Sequence, residues 1–509
     1  MKPSILFCFI GLGAALHLVP PRPTKKFELN LTWDTKAPDG VERQQALING
    51  QFPGPSLIFD EGDNVEVTVN NFLPYNTTMH WHGIEQQGTS WSDGVPGVSQ
   101  RLITPGGRFV YRFTTSQYGT YCADQKADEQ FNIRCLPVQN TFAQTTFAQH
   151  NYTAIPPSLF DQCKATESTE EVIKVDPLEG WVSLNLISSA SISLPAVSIN
   201  NHSLWVYEVD GQYIVPTKVD ALTLSNGARY SVLVQLNKTP GNYLITAAGA
   251  GVNQKVAGYG TFSYVDSDPS VVGKPSIDYG GNSISTDVVV LDENTIKPLI
   301  PSRPSEQADQ TYLLTIGRIE KAWKWSLNGE HSYSMSLESE KPMLWDPQSQ
   351  ADSDLVIATN NDTWVDIVFA VSGEPSTIQP GHPIHKHSNR VYILGLGTGE
   401  FNWTSVAEAQ QEIPEMFNLV DPPMRDTFTT LPALEAPSWM AVRYHVQNPG
   451  AFFLHCHIDP HLTGGMALAI LDGIDTWPSI PTQYGPKGHW GKPAKEKTSL
   501  MAVTGIKGR

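Results

Sequence analysis

Apolar residues recur at every second position along much of the chain, as at Val65, Val67 and Val69 and again at Val365, Ile367 and Phe369. That period predicts half-buried β-strands, because successive side chains on a strand point to opposite faces. Helical spacing is scarce. The strands fall into repeats. Ala46-Leu-Ile-Asn-Gly50, Tyr207-Glu-Val-Asp-Gly211 and Trp325-Ser-Leu-Asn-Gly329 are three copies of an apolar strand closed by an Asn-Gly or Asp-Gly turn. Downstream of each comes an alternating strand that leads to a glycine corner: Tyr118-Gly119, Pro240-Gly241 and Pro449-Gly450. The pattern predicts an all-β fold of three Greek-key β-sandwich domains in series.

Their expected limits are 20–128, 129–268 and 305–475. The Pro-, Ser- and Asp-rich stretch 269–304 is expected to be a linker, and 476–509 an irregular tail that wraps the surface. Forty glycines and 38 prolines fit many turns and short elements. Charged residues make up 17%, below the roughly 25% of an average soluble protein. The net charge of −17 argues against a nucleic-acid binder. Five cysteines are too few for a disulfide scaffold.

Met1-Lys2, then an apolar run from Ile5 to Val19 and Pro20-Pro21, read as a secretory signal over 1–19. The alternative is a membrane anchor, for which the run is shorter than the roughly 20 residues a bilayer needs. No later run approaches that length, so no membrane anchor is expected. Sequons at Asn30, Asn76, Asn151, Asn201, Asn237, Asn361 and Asn402 fit an exported glycoprotein of the extracellular space or cell wall.

Eight of the 14 histidines lie in three short windows: His80-Trp-His82-Gly83, His382-Pro-Ile-His385-Lys-His387 and His455-Cys456-His457-Ile-Asp-Pro-His461. On a strand, histidines at i and i+2 face the same side, so each His-x-His offers two imidazoles to one place. One such pair is commonly a core or surface feature; three near the ends of repeated strands point to a metal cluster. Cys456, His461 and Met466, with His382 from elsewhere, make a thiolate, two imidazoles and a thioether. That set suits a blue copper electron-transfer centre. Zinc is the competing metal, although structural zinc favours four strong ligands.

These motifs, in this order and on repeated sandwiches, resemble the multicopper oxidases, over about residues 27 to 475 and closest to the ascomycete laccase-like branch. The resemblance implies cupredoxin domains, four copper ions, and oxidation of small phenolic or aromatic reductants coupled to reduction of O2 to water, with a pigment, melanin or wall polymer as one destination. It implies a type 1 copper at His382, Cys456, His461 and Met466. It places type 2 copper at His80 and His385, and the coupled type 3 pair at His82, His387, His455 and His457. Asp93, in Trp91-Ser-Asp-Gly94, matches a proton-relaying acid of the family; its other reading is a turn aspartate. Cys456 would pass an electron to the cluster through its two neighbouring histidines. His445 matches no ligand and reads as structural, and His150, His202, His331 and His489 lack partners at metal spacing. A monomer is expected.

The chain departs from the family at one place. The family's four His-x-His elements supply eight imidazoles, and only three elements occur here. Gly450 precedes His455 and His457 by five and seven residues; the same offsets from Gly119 give Asp124 and Lys126. The family's Trp-Tyr-His-Ser-His is here Cys122-Ala-Asp-Gln-Lys126. Ile133-Arg-Cys135-Leu-Pro already resembles the interior of the family's second domain. The end of the first domain and the start of the second are therefore expected to be missing, roughly 80 residues on typical domain sizes. Two accounts stand: a transcript that skips an exon of a complete enzyme, or a real truncation that damages the type 3 pair. A copper protein that retains only its type 1 centre, and a ferroxidase, are the alternative functions. A disulfide Cys135–Cys163 is compatible with export, Cys8 falls in the signal, and Cys122 is an odd thiol at the junction.

Overall fold

The computed structural model describes residues 22–38, 40, 42–127, 171–249, 257–320, 323–371 and 379–486, with the backbone alone over 122–127. The signal-like segment, His150, His489, Cys8, Cys135 and Cys163 lie outside the described residues. Strands dominate, as the alternation predicts.

The first group comprises β1 (Lys25–Lys36), β2 (Arg43–Ile48), β3 (Asn64–Phe72), β4 (Thr77–His82), β5 (Arg108–Thr114) and β6 (Cys122–Ala127). The second comprises β7 (Glu171–Val175), β8 (Trp181–Ile187), β9 (Pro195–Ile199), β10 (Leu204–Val209), β11 (Gln212–Val219), β12 (Leu222–Thr223), β13 (Arg229–Gln235), β14 (Asn242–Gly249) and β15 (Ala257–Tyr264). The third opens with β16 (Gln310–Arg318), β17 (Trp325–Ser326), β18 (Val356–Ala358), β19 (Trp364–Val371), β20 (Pro383–Lys386) and β21 (Val391–Thr398). It continues with β22 (Met424–Arg425), β23 (Thr427–Thr429), β24 (Ser438–His445), β25 (Gly450–Cys456) and β26 (Ala467–Asp472). Among the described residues, helix is confined to α1 (Val406–Glu412), α2 (Asp459–Thr463) and short 3-10 turns.

Each group buries one apolar face. In β3 the buried residues Val65, Val67 and Val69 alternate with less buried polar ones. Between β10 and β11, Asp210 and Gly211 both take positive φ, 49° and 75°, the geometry that a tight two-residue hairpin demands.

The third group forms a six-stranded sheet, β17-β16-β19-β24-β21-β22, packed with a five-stranded sheet, β18-β26-β25-β20-β23. It is the reference for the other two. The second group has β8-β13-β10-β11 and β12-β9-β14-β15-β7. Here β7 runs parallel to β15 as β18 runs parallel to β26, and β8 lies beside β13 as β19 lies beside β24. Nothing among the described residues corresponds to β16 and β17, and β8 becomes an edge strand with Trp181 and Ile187 exposed. In the first group, β2-β1-β3-β5 matches β17-β16-β19-β24, but the facing sheet is only β4-β6. A counterpart of β26 is absent there among the described residues. Among the described residues, the strands of the third sandwich without a counterpart thus include the last for the first sandwich and the first two for the second.

Within the described part of the tail, 476–486, one residue is anchored in the interior. Tyr484 is buried beside Phe109 and Trp91 in the first sandwich's apolar cluster. Its hydroxyl donates to the Val110 carbonyl at 2.8 Å, and its own carbonyl accepts from the Trp345 indole at 2.9 Å. This residue, invisible to a reading based on Pro punctuation, thus packs its ring on the first sandwich and ties its main chain to Trp345 of the third. Residues 269–304 carry no strand, yet isolated bridges at Val290 and Pro298 tie them to the second sandwich.

Candidate metal centre

Strand β25 decides what meets what. Antiparallel to β20, it pairs Ile384 with Cys456 and His385 with His455. Alternation sends Cys456 into the interior of the third sandwich while its histidine neighbours face the other way. Two groups of ligating atoms result, one on each side of the strand.

On the inner side stand His382, Cys456 and His461, all buried, with their potential ligand atoms within 4.8 Å of one another. The Nδ1 atoms of His382 and His461 lie 3.2 Å apart, and Cys456 Sγ is 3.6 Å from His461 Nδ1 and 3.9 Å from His382 Nδ1. Helix α2 follows β25 directly and presents His461. Met466 is fully buried in the same apolar cluster as Cys456. Its main chain binds both neighbours, accepting from Cys456 N at 3.0 Å and donating to the His461 carbonyl at 2.9 Å. Burial and, secondarily, the Arg318 guanidinium push the His382 imidazole down to about 3. Burial and then the neighbouring His382 hold His461 well below its usual value too. Both rings are therefore neutral and offer lone pairs. Burial pushes the Cys456 thiol up, so a thiolate here requires a compensating cation.

On the other side, six imidazoles converge. His80 Nε2 and His385 Nε2 are 3.3 Å apart, as are His387 Nε2 and His455 Nε2. The His82 and His457 rings lie 5.1 Å apart. The outward nitrogens reveal the tautomers. His80 Nδ1 donates to the Asp93 carbonyl at 2.7 Å, His385 Nδ1 to the Asp426 carbonyl at 2.9 Å and His455 Nδ1 to the Cys456 carbonyl at 2.9 Å. His387 Nδ1 donates to the Asp93 carboxylate at 2.8 Å. A carbonyl or carboxylate oxygen only accepts, so the proton sits on Nδ1 and each Nε2 lone pair points inward. This outer support is the signature of metal-ligating histidine. His82 differs from these four. Its Nε2 lies 2.9 Å from Thr427 Oγ1 and 3.5 Å from Asp426, and with the proton there the lone pair is on Nδ1.

Asp93 follows a 3-10 turn at Ser90–Ser92 and precedes Gly94, and it contacts two of the histidines from that turn. Gly94 has φ +82°, and a Cβ there would lie 1.9 Å from the Met79 carbonyl. Only glycine lets this turn lie against β4 closely enough to bring Asp93 to His80.

In the first sandwich β6 lies against β4 as β25 lies against β20. The register pairs His80 with Asp124 and His82 with Cys122. Asp124 thus holds the backbone position that His455 holds opposite His385, which matches the offset from Gly119.

Sequence reasoning missed three residues that hold the cluster from behind. Asp426, fully buried, receives both terminal nitrogens of Arg229 from the second sandwich at 2.5 and 2.7 Å, and Thr427 donates to it at 2.9 Å. Burial alone would raise the Asp426 carboxyl, but Arg229 overrides this and holds it well below the usual range. These residues form no local motif, and the adjacent Arg425-Asp426 pair was the only available signal. The remaining described histidines, His202, His331 and His445, lie outside both sets. Buried His202 contacts the Asn200 carbonyl and the Tyr264 hydroxyl. His445 stacks on Trp364, and His331 faces Asp354.

Comparison with known proteins agrees with this geometry. Three multicopper oxidase family models match residues 30–130, 85–267 and 320–475. The chain is 36% identical to the laccase abr2 of Aspergillus fumigatus, covering 92% of this chain and 97% of that protein. The chain belongs to the multicopper oxidase family. It is also 36% identical to the multicopper oxidase MCE of Talaromyces pinophilus, covering 92% and 96%. Among solved structures, a laccase from Botrytis aclada superposes with a TM-score of 0.70 at 24% identity, over 91% of this chain and 90% of that one. Fet3p, a multicopper oxidase that functions in iron import, gives 0.68 at 20% over 91% and 94%. Both likenesses establish the cupredoxin-like fold. The family identity makes the chain a copper-dependent oxidoreductase. The abr2 alignment runs over 576 positions, more than the 509 residues of this whole chain, so that relative carries stretches with no counterpart here. Among the described residues no helix is long and apolar enough to cross a membrane.

Proposed function

We propose that the chain is a secreted, N-glycosylated, monomeric laccase-type enzyme. It takes electrons from phenolic or similar small reductants and reduces O2 to water, with a pigment or melanin precursor as a suitable substrate. The observation that carries this reading is the junction at His455-Cys456-His457, where one strand joins a thiol-containing ligand set to a cluster of imidazoles through a few covalent bonds. In the assignment we favour, His382, Cys456, His461 and Met466 hold a type 1 copper. His80 and His385 hold type 2 copper, and the pairs His387–His455 and His82–His457 hold the type 3 ions. The expected limits of the three domains are retained.

The donor set fits copper. A buried thiol that ionises only beside a cation, two neutral imidazoles and a thioether form a soft, nitrogen- and sulfur-rich site. Bound copper supplies one-electron chemistry, so that four single oxidations of reductant balance the four-electron reduction of O2. The protein keeps His80, His385, His387 and His455 in the tautomer with a free Nε2 lone pair, and Cys456 provides the bonded route between the two sets. Asp93, in contact with both His80 and His387, is placed to carry protons inward.

The register of β6 favours a second reading, a copper protein with an intact type 1 set but without oxygen reduction, because Asp124 and Lys126 occupy the offsets of two imidazoles. One experiment separates the two: copper content, blue absorption and O2 uptake with a phenol, measured on the full chain. Blue colour, about four coppers and O2 uptake support the laccase reading; one blue copper without O2 uptake supports the second.

A further inference from the structure

One of the two imidazoles of the thiol-containing set, that of His382, has a buried amide on its far side. His382 Nε2 lies 3.2 Å from the side-chain oxygen of Gln379. Gln379 is buried at 1% exposure and clamped on both main-chain groups. Its N–H donates to the Ala433 carbonyl at 2.9 Å, and the Ala433 N–H donates back at 3.0 Å. The His382 main chain is fixed in the same way, with its N–H donating to Thr430 Oγ1 at 3.0 Å and its carbonyl accepting from Thr430 N at 3.0 Å. Donor and acceptor are thus both immobilised.

The side-chain NH2 of Gln379 is buried without a hydrogen-bond partner among the described residues. Burying an amide and leaving half of it unsatisfied is a cost that an apolar side chain would avoid. The compensating feature is the oxygen. As an acceptor it requires the proton of His382 on Nε2, and that leaves the Nδ1 lone pair facing Cys456 and His461. With the amide turned over, Nδ1 would carry the proton and could not ligate.

We propose that Gln379 is a positioning residue that tunes the reduction potential of the His382–Cys456–His461 centre. The inference rests on the reading of that set as a type 1 copper site. An accepted hydrogen bond on the distal nitrogen makes the imidazole a stronger donor to its metal. A stronger neutral donor favours the oxidised ion over the reduced one, so Gln379 lowers the potential.

The test uses the full copper-loaded chain and the variants Gln379→Leu and Gln379→Glu, with a redox titration followed by the blue absorption. Leu removes the acceptor at similar volume. Second-shell losses typically cost about 10- to 100-fold in metal affinity, and each tenfold loss of preference for the oxidised ion reads as a rise of about 59 mV in a one-electron couple. The Leu variant is therefore expected to titrate at a higher potential. Glu keeps an acceptor oxygen and is expected to stay at or below the native potential. A native-like potential in the Leu variant overturns the proposal, and so does a rise in the Glu variant, which remains decisive if the Leu chain fails to load copper. A native chain that takes up copper without blue colour would instead refute the type 1 reading itself.

Discussion

Removing Arg229 tests whether the second sandwich, which supplies no histidine, holds the cluster together. Arg229 is fully buried and places both terminal nitrogens on Asp426 at 2.5 and 2.7 Å. In Arg229→Met the Asp426 carboxyl loses the charge that holds it ionised, while its burial persists. Breaking a buried pair from one side costs about 3–5 kcal/mol. The effect extends to the site because Asp426 accepts from Thr427, lies 3.5 Å from His82 Nε2, and supports His385 through its carbonyl. The assay is urea unfolding of the copper-free chain, with copper content measured in parallel. Arg229→Met is expected to lower stability by about 3–5 kcal/mol and to reduce copper retention. Arg229→Met with Asp426→Asn is expected to recover part of the stability, since the uncompensated charge is then gone. A single variant within about 1 kcal/mol of native, or a double variant no better than the single, would refute the reasoning.

Three further outcomes are expected. Gly94→Ala forces a Cβ to within 1.9 Å of the Met79 carbonyl at φ +82°; a cost of at least about 1–3 kcal/mol and weakened copper binding should appear in thermal melts and elemental analysis. Asp93→Asn should leave the blue absorption intact but slow O2 uptake by about 10²–10⁴-fold, the usual weight of a proton-transfer group; an undiminished rate would exclude Asp93 from proton transfer. Burial lowers the pKa of His202, so its proton binds more readily in the unfolded chain. The stability tied to neutral His202 is present above about pH 6.5 and is lost as pH falls, by at most about 1.4 kcal/mol per pH unit. In His202→Phe, urea midpoints at pH 7.5 and 5.5 should lie closer together than in the native chain.

Local order made much of this legible. Period-two alternation and Asn-Gly or Asp-Gly turns marked the strands, and His-x-His marked the ligands, because a strand sends i and i+2 to one face. The offset from Gly119 singled out Asp124 even though no histidine stands there, and the register sets it opposite His80. What supports the ligands was not legible. Gln379, Asp426 and Arg229 are single polar residues in segments without a motif, and they matter only through folding that brings residue 229 to residue 426. Tyr484 escaped notice for the same reason. An aromatic residue in a Pro-punctuated tail has no period to announce that it is buried in one sandwich and bonded to another.

The most direct test of the central claim is the copper content of the full chain, determined together with O2 consumption in the presence of a phenol. The account predicts about four copper ions per chain, blue colour, and O2 consumed as the phenol is oxidised. A single copper ion per chain, blue but with no O2 consumed, would contradict it.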